Sequence, residues 1–336
     1  MKKLIQSIIS LIILAAIAIA ANEAFIRKPI AEAEVFRVKV AEGQSLGEVA
    51  NTLKEASVIS STSLFDFIGT LSGAAKDLHA GTYIFKKGMS VVDALKTLNF
   101  VGRQEISVTI PEGWNLRQIA EKLVASGLIK SPAELYAVTG EPANPNTTVL
   151  PALVRDFPIL KSKPAGVSLE GYLFPDTYRF YSDATAEDVV RKMLDTLKSK
   201  TSGMIGNLSF HDELTLASIV EDEVRDEADR AKVADIMLRR MQEGIALQVD
   251  SSVNYVTGKN TPSISSDDRA IDSLWNTYAH RGLPPGPISN PGLASLRAAL
   301  APTPNAYWYF LTTPDGAVIY SKTLDEHNAA KAKYLK

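Results

Sequence analysis

The sequence predicts an α+β protein: an N-terminal transmembrane helix, a pair of strand–turn–helix modules and a mixed α+β C-terminal domain. Three observations carry that prediction. The chain opens with a long uncharged apolar run, a gapless internal repeat follows it, and the texture changes to closely spaced motifs beyond Lys163-Pro164-Ala165-Gly166.

The opening comes first. Met1-Lys2-Lys3 precedes Leu4 to Asn22, nineteen residues without a charged side chain, closed by Glu23. That length suits a helix crossing a hydrocarbon core of about 30 Å. Lys2 and Lys3 favour a cytoplasmic N-terminus, which puts the rest of the chain beyond the membrane. A cleaved signal peptide ending near Ala18-Ile19-Ala20 is the alternative; the length of the run and its lack of a helix breaker favour an anchor at 1–22. Residues 23–35 are small, polar and charged and read as a linker.

The remainder has the makings of two or three domains. With 36 basic and 38 acidic residues among 336 and a net charge of −2, the chain offers no field for nucleic acid. The absence of cysteine excludes disulfide scaffolds and thiolate metal sites. His79, His211, His280 and His327 lack metal-ligand spacing. No metal and no cofactor is expected, and neither a phosphate-cradling loop nor a Gly-x-Ser-x-Gly elbow is present.

Val38–Ile59 (VKVAEGQSLGEVANTLKEASVI) aligns without gaps on Val108–Ile129 (VTIPEGWNLRQIAEKLVASGLI), with Glu42-Gly43 falling on Glu112-Gly113. Each copy reads as a short strand, a turn at Glu-Gly and a helix, with Leu46, Val49, Ala50 and Leu53 as the apolar stripe of the first. Gly81–Leu98 repeats the pattern more loosely, so two βα units on either side of Phe65–Gly73 are expected to pair into one module over 36–104. A second βα subdomain is expected over 105–163. The repeat resembles the opening of a LysM domain, a small fold that binds N-acetylglucosamine polymers; a packing unit that binds nothing is the other reading.

The domain expected at 164–336 carries the chemistry. SLEGYLFPDTY (Ser168–Tyr178) sets Glu170 beside a glycine and an aromatic, as sugar sites do, although a packed turn shaped by Pro175 and Asp176 would read the same. LTLASIVEDEV (Leu214–Val224) repeats Leu214, Ala217, Ser218, Glu221 and Val224 at helical spacing, so Glu221 is expected on an apolar stripe. A carboxylate there loses hydration, which suits it to general-acid work. Asp222, Glu223, Asp226, Glu227 and Asp229 make a solvated acidic face the competing reading. A helix follows, with Val233, Ile236, Met237 and Met241 inward and Gly244 as its stop. Leu247–Asp250 reads as a strand. GLPPGPISNPG (Gly282–Gly292) reads as a loop stiffened by four prolines. Tyr307–Thr312 and Ala317–Ser321 read as a hairpin turning at Pro314-Asp315-Gly316.

Together SLEGYLFPDTY, ASIVEDE, LQVDSSVNYV, WNTY and GLPPGPISNPG resemble, in order, the motifs of the MltG (YceG-like) family of endolytic murein transglycosylases. The likeness runs from about Phe36 to the C-terminus; one departure is Asp250-Ser251-Ser252, where many members have Asp-Pro. The resemblance implies that Glu221 is the catalytic acid. One glutamate would protonate the leaving oxygen of the MurNAc–GlcNAc bond and take the proton of the muramic C6 hydroxyl, giving a 1,6-anhydro end. Gln248, Asp250, Asn276 and Tyr278 are candidates for orienting the glycan, with Glu170 a further polar contact. The implied partners are peptidoglycan strands, the membrane and penicillin-binding synthases. The implied setting is the inner membrane, with a single pass and the catalytic domain periplasmic. A non-cleaving wall-binding scaffold and a hydrolase using water remain as other readings.

Overall fold

The computed structural model describes residues 21–26, 35–41, 43–74, 78, 80–99, 105–204, 206–259, 261 and 264–335. The span expected at 1–22 lies, apart from Ala21 and Asn22, outside the described residues. Among the described residues no helix is long and apolar enough to cross a membrane. The α+β class holds: thirteen α-helices accompany three two-stranded sheets among the described residues.

The chain divides into two compact units. The first comprises Met1–Ser107, Ser126–Leu128 and Arg179–Ala184; the second comprises Val108–Ala125, Ile129–Tyr178 and Thr185–Lys336. The boundary expected near residue 163 therefore falls inside the second unit.

In the first unit β1 (Val35–Val40), α1 (Leu46–Glu55), α2 (Thr62–Leu71), β2 (Gly81–Lys86) and α3 (Val91–Asn99) follow one another. β1 and β2 pair antiparallel with Val38 opposite Tyr83, so the two βα units join into one module. α1 begins where Ser45 accepts the Glu48 N–H and the Glu48 carboxylate accepts the Ser45 N–H, a reciprocal cap of the helix start. Its Leu46, Val49, Ala50 and Leu53 are buried and pack with Phe65 and Phe85. Gly69 lets α1 and α2 approach closely: a Cβ there would lie 2.4 Å from Leu46 Cδ2. The expected linker is structured at both ends. Asn22–Ile26 winds as a π-helical turn against α3 with Ala24 buried, and Val35 already belongs to β1.

The repeat reaches further than its sequence match. Next come β3 (Glu105–Thr109), α4 (Leu116–Ala125), α5 (Pro132–Thr139), α6 (Pro151–Asp156), a 3₁₀ turn (Pro158–Leu160), β4 (Thr177–Tyr181) and α7 (Ala186–Lys200). α4 has the bounds of α1 moved by 70, and Leu116, Ile119, Ala120 and Leu123 are buried at the matching positions. α5 starts 70 residues after α2. β3 pairs with β4 as β1 does with β2; Thr109 faces Thr177, and the Ile110 N–H donates to Asp176 O. α4 packs on α5 and α5 on α7, as α1 packs on α2 and α2 on α3. The second copy is thus the same β-α-α-β-α unit, with the longer segment 140–176 before its second strand where the first copy has 72–80.

The rest of the second unit centres on α8 (Phe210–Glu223). α9 (Glu227–Gln242), α10 (Asp250–Thr257) and, after α11 (Ser266–Arg269), α12 (Leu293–Leu300) pack around it. α8 is buried on every side from His211 to Val220, except at Asp212, rather than along one stripe, as befits a central helix. α9 runs as expected, with Val233, Ile236 and Met237 buried and Gly244 at φ +64° past its end. β5 (Tyr309–Thr312) and β6 (Val318–Ser321) form the expected hairpin, against which α13 (Leu324–Tyr334) packs. Leu247–Asp250 is not a strand. Gln248 sits at φ +57°, which breaks extended structure, and Asp250 already opens α10.

Candidate active site

Glu221 lies in the last turn of α8, where the buried helix reaches the surface, and its side chain is only 7% exposed. Both oxygens are held. Oε1 accepts from Arg230 Nη2 at 2.8 Å, and Oε2 accepts from the Gly292 N–H at 3.0 Å. Arg230 is itself fixed by its Nε–H on Val224 O at 2.9 Å. Glu221 is therefore held in place by a cation and a backbone donor, where the sequence expectation named only an apolar stripe. A carboxylate oxygen has a second lone pair, so each oxygen keeps a direction open to a proton.

The loop from Gly282 to Gly292 delivers that donor and is tied down along its length. His211 is buried between the Tyr172 hydroxyl (3.0 Å) and Pro285 O (2.8 Å); burial pushes its imidazole down, so Nδ1 accepts and Nε2 donates. Trp275 Nε1 donates to Gly286 O at 3.1 Å, and the Ile288 N–H donates to Ser218 Oγ at 3.0 Å. Asn290 then bridges to the second copy of the repeat. Its N–H and side-chain amide both donate to Trp114 O, and the Gly113 N–H donates to Asn290 O at 2.9 Å. The stiffness expected from the prolines is realised through these bonds.

This bridge brings the turn before α4 to the Glu221 carboxylate. A Cβ on Gly113 would lie 3.6 Å from Glu221 Cγ and 3.5 Å from Asp222 Oδ1. The Glu112 carboxylate rests over Gly292: a Cβ there would come within 2.0 Å of Oε1 and 2.5 Å of Oε2. Burial first, then the charge of Glu221, pushes the Glu112 carboxyl up, while Arg230 pulls it down. In the sequence Glu112 showed itself only as a repeat identity, and nothing marked Arg230.

The acidic run after Glu221 is not a plain solvated face. Crowding by protein and the charges of Glu223 and Glu221 push Asp222 upward, against a hydrogen bond with Ser289, although Asp222 keeps an open side to water that screens the effect. Glu223 is raised mainly by burial and accepts from Ser251 Oγ at 2.7 Å. Asp226 caps α9, and Asp229 accepts from the Tyr320 hydroxyl at 2.8 Å.

The other candidates divide. Asp250 accepts from the Tyr278 hydroxyl at 2.5 Å, and Arg269 lies over the Tyr278 ring. Both residues keep solvent-facing surface beside Ser251, which ties them to Glu223. Gln248 is exposed and its left-handed backbone is pinned by its N–H on Thr277 O. Asn276 has no exposed surface; its amide donates to Arg269 O and Ile271 O, and its oxygen accepts the Tyr278 N–H, which leaves nothing for a glycan. Glu170 is corrected likewise. It is fully buried, accepts the Leu116 N–H at the start of α4 with both oxygens, and takes a further bond from Asn290 Nδ2 at 2.9 Å. Burial pushes it up to about 8 against those donors. It supports the bridge from behind.

A model described as the YceG-like family matches residues 38–333. The endolytic murein transglycosylase of Bacillus subtilis (strain 168) is 34% identical over 311 residues, covering 89% of this chain and 84% of its own length. The protein of the same name from Streptococcus pneumoniae (serotype 2, strain D39) is 30% identical over 332 residues, and the chain spans 58% of its length. The 2.6 Å crystal structure of a yceG-like protein from Listeria monocytogenes covers 89% of this chain and all of its own, at 30% identity and a TM-score of 0.58.

Proposed function

Because this chain belongs to the YceG-like family, we infer that it is an endolytic lytic transglycosylase that cuts peptidoglycan strands at the MurNAc–GlcNAc β-1,4 bond and so ends their elongation. The observation that carries this reading is Glu221, held through both oxygens by Arg230 and the Gly292 N–H at the exposed end of a buried helix. A clamped carboxyl keeps its orientation while it gives up a proton, and positioned acids of this kind contribute about 10²–10⁴-fold to rate. Glu221 protonates the leaving glycosidic oxygen. The C6 hydroxyl of the same muramic residue then closes on C1, leaving a 1,6-anhydro end. Asp250 and Tyr278, bonded to each other and open to solvent, suit contacts to sugar hydroxyls; exposed Gln248 flanks them.

The apolar run before Glu23 supports a single-pass anchor with the catalytic unit outside the cytoplasm, at the inner membrane. The β-α-α-β order of the first unit supports a LysM-like module that captures glycan. Association with penicillin-binding synthases is what the family resemblance implies. The decisive test is mass spectrometry of muropeptides released by the wild type and by Glu221→Gln. The wild type is expected to yield anhydro ends and the variant to lose them by about 10²–10⁴-fold while staying folded. Reducing ends from the wild type would make the protein a hydrolase, and no cleavage at all would make it a wall-binding scaffold.

A further inference from the structure

Glu112 stands outside the hydrogen bonds that clamp Glu221. Its carboxylate sits on one side of Gly292, and the Gly292 N–H holds Glu221 on the other. The turn that carries it is fixed by the Gly113 N–H on Asn290 O and by the Trp114–Asn290 bridge, so the placement is not that of a loose surface side chain. Glu112 is nevertheless exposed, and its carboxylate makes no hydrogen bond to any described residue. An unbonded carboxylate carried on a fixed turn, beside a clamped acid, is placed to act on what lies between them and solvent.

We propose that Glu112 is the second carboxylate of the reaction, accepting the proton of the muramic C6 hydroxyl as the anhydro ring closes. This rests on the transglycosylase reading. Glu221 gives its proton to the leaving GlcNAc oxygen, and the C1–O4 electron pair stays with that oxygen. O6 of the same muramic residue forms the new bond to C1, and its proton passes to Glu112. The turnover thus moves one proton from Glu221 to Glu112; Glu112 then releases its proton to water and Glu221 takes one up from water that enters as the product leaves, which resets the site. Splitting acid and base between two carboxylates is what ordinary glycosidases do. Here the nucleophile is the substrate's own hydroxyl. Gly292 makes the arrangement possible, since any side chain there would push the Glu112 carboxylate aside.

The test uses the full chain on polymeric glycan with Glu112→Gln, Glu112→Asp, Gly292→Ala and the Glu112→Gln/Gly292→Ala double variant. Glu112→Gln is expected to lower kcat by about 10²-fold with KM little changed, and Glu112→Asp to recover part of that loss. Two readouts separate base work from support of the fold. Residual product should shift from anhydro ends towards reducing ends, because water competes once the C6 hydroxyl has lost its base. The acidic limb of the kcat profile should also disappear; the charged groups acting on Glu112 are Glu221 and Arg230, and only its own ionisation would be removed. Gly292→Ala should reproduce both changes, and the double variant should be no worse than either single one. A Glu112→Gln enzyme with unchanged product ratio and unchanged acidic limb overturns the proposal, whatever its kcat. A wild type that makes no anhydro ends overturns the transglycosylase reading itself, a separate failure.

Discussion

The two copies of the β-α-α-β-α unit start their first helices in different ways. In the first copy α1 is capped from within: Ser45 and Glu48 exchange hydrogen bonds over three residues, at the surface. In the second, Asn115 accepts the Arg117 and Gln118 N–H groups, and Gln118 returns a bond to the Asn115 N–H. To that local cap is added Glu170, which reaches from 54 residues away to take the Leu116 N–H and grips Asn290 as well. The difference teaches how a self-sufficient module is turned into part of an active site. Its fold is kept, and buried polar bonds from outside fix where its turn points.

Substituting the two caps should sharpen that contrast most. Glu170→Ala leaves the Leu116 N–H and the Asn290 amide without their buried acceptor. It should cost about 3–5 kcal/mol, from the buried donors left unpaired and the cavity left behind, with activity lost in parallel. Ser45→Ala should cost about 1 kcal/mol and leave turnover at saturating glycan unchanged. Urea unfolding and muropeptide release measure both. Equal costs would break the comparison.

Matched core substitutions come next. Leu53 and Leu123 occupy the same repeat position, and both are fully buried. Each Leu→Ala change should cost about 3 kcal/mol. Leu123→Ala should lower kcat, whereas Leu53→Ala should show itself in KM for long strands, as expected if the first copy only captures glycan.

Glu170 also gives the second copy a pH dependence. Its folded value of about 8 lies above the ordinary 4.5, so between those values the folded state binds the proton and the unfolded state does not. Stability should therefore fall as pH rises through that window, by at most about 1.4 kcal/mol per unit, and level off above it. Glu170→Gln should remove the slope. A slope that survives the substitution would place its source elsewhere.

The smallest effect contrasts two glycines. Gly43 (φ +76°) has nothing within 4 Å of a would-be Cβ, while Gly113 (φ +77°) has Glu221 and Asp222. Alanine at either should cost about 1 kcal/mol through backbone strain. Only Gly113→Ala should change kcat, because only there does the methyl group meet Glu221, the proposed acid.

Local code was legible in the sequence wherever it sufficed. The offset of 70, the Glu-Gly turns, the apolar stripe of α4, the β5–β6 hairpin and the motif around Glu221 are all written in short spacings. The full extent of the repeat was not legible, because the segment 140–176 separates β4 from α5. The support roles of Glu170 and Asn276 were missed for another reason. A polar residue beside an aromatic looks the same whether it faces a sugar or a buried helix start, and only tertiary partners decide. Arg230 and Glu112 become site residues only when α9, the Asn290 loop and the turn before α4 meet. Gln248 misled because alternating residue types read as a strand while its left-handed backbone does not.

Gly292 has an ordinary φ of −75°, so its own backbone would tolerate alanine; what an added methyl group would displace is the Glu112 carboxylate. In genetic terms the two codons are epistatic. An alanine allele at 292 would be harmful only while residue 112 is long, and shortening residue 112 would relieve the crowding without restoring catalysis. Neither codon can drift alone, and a lineage could vary them together only after abandoning the reaction.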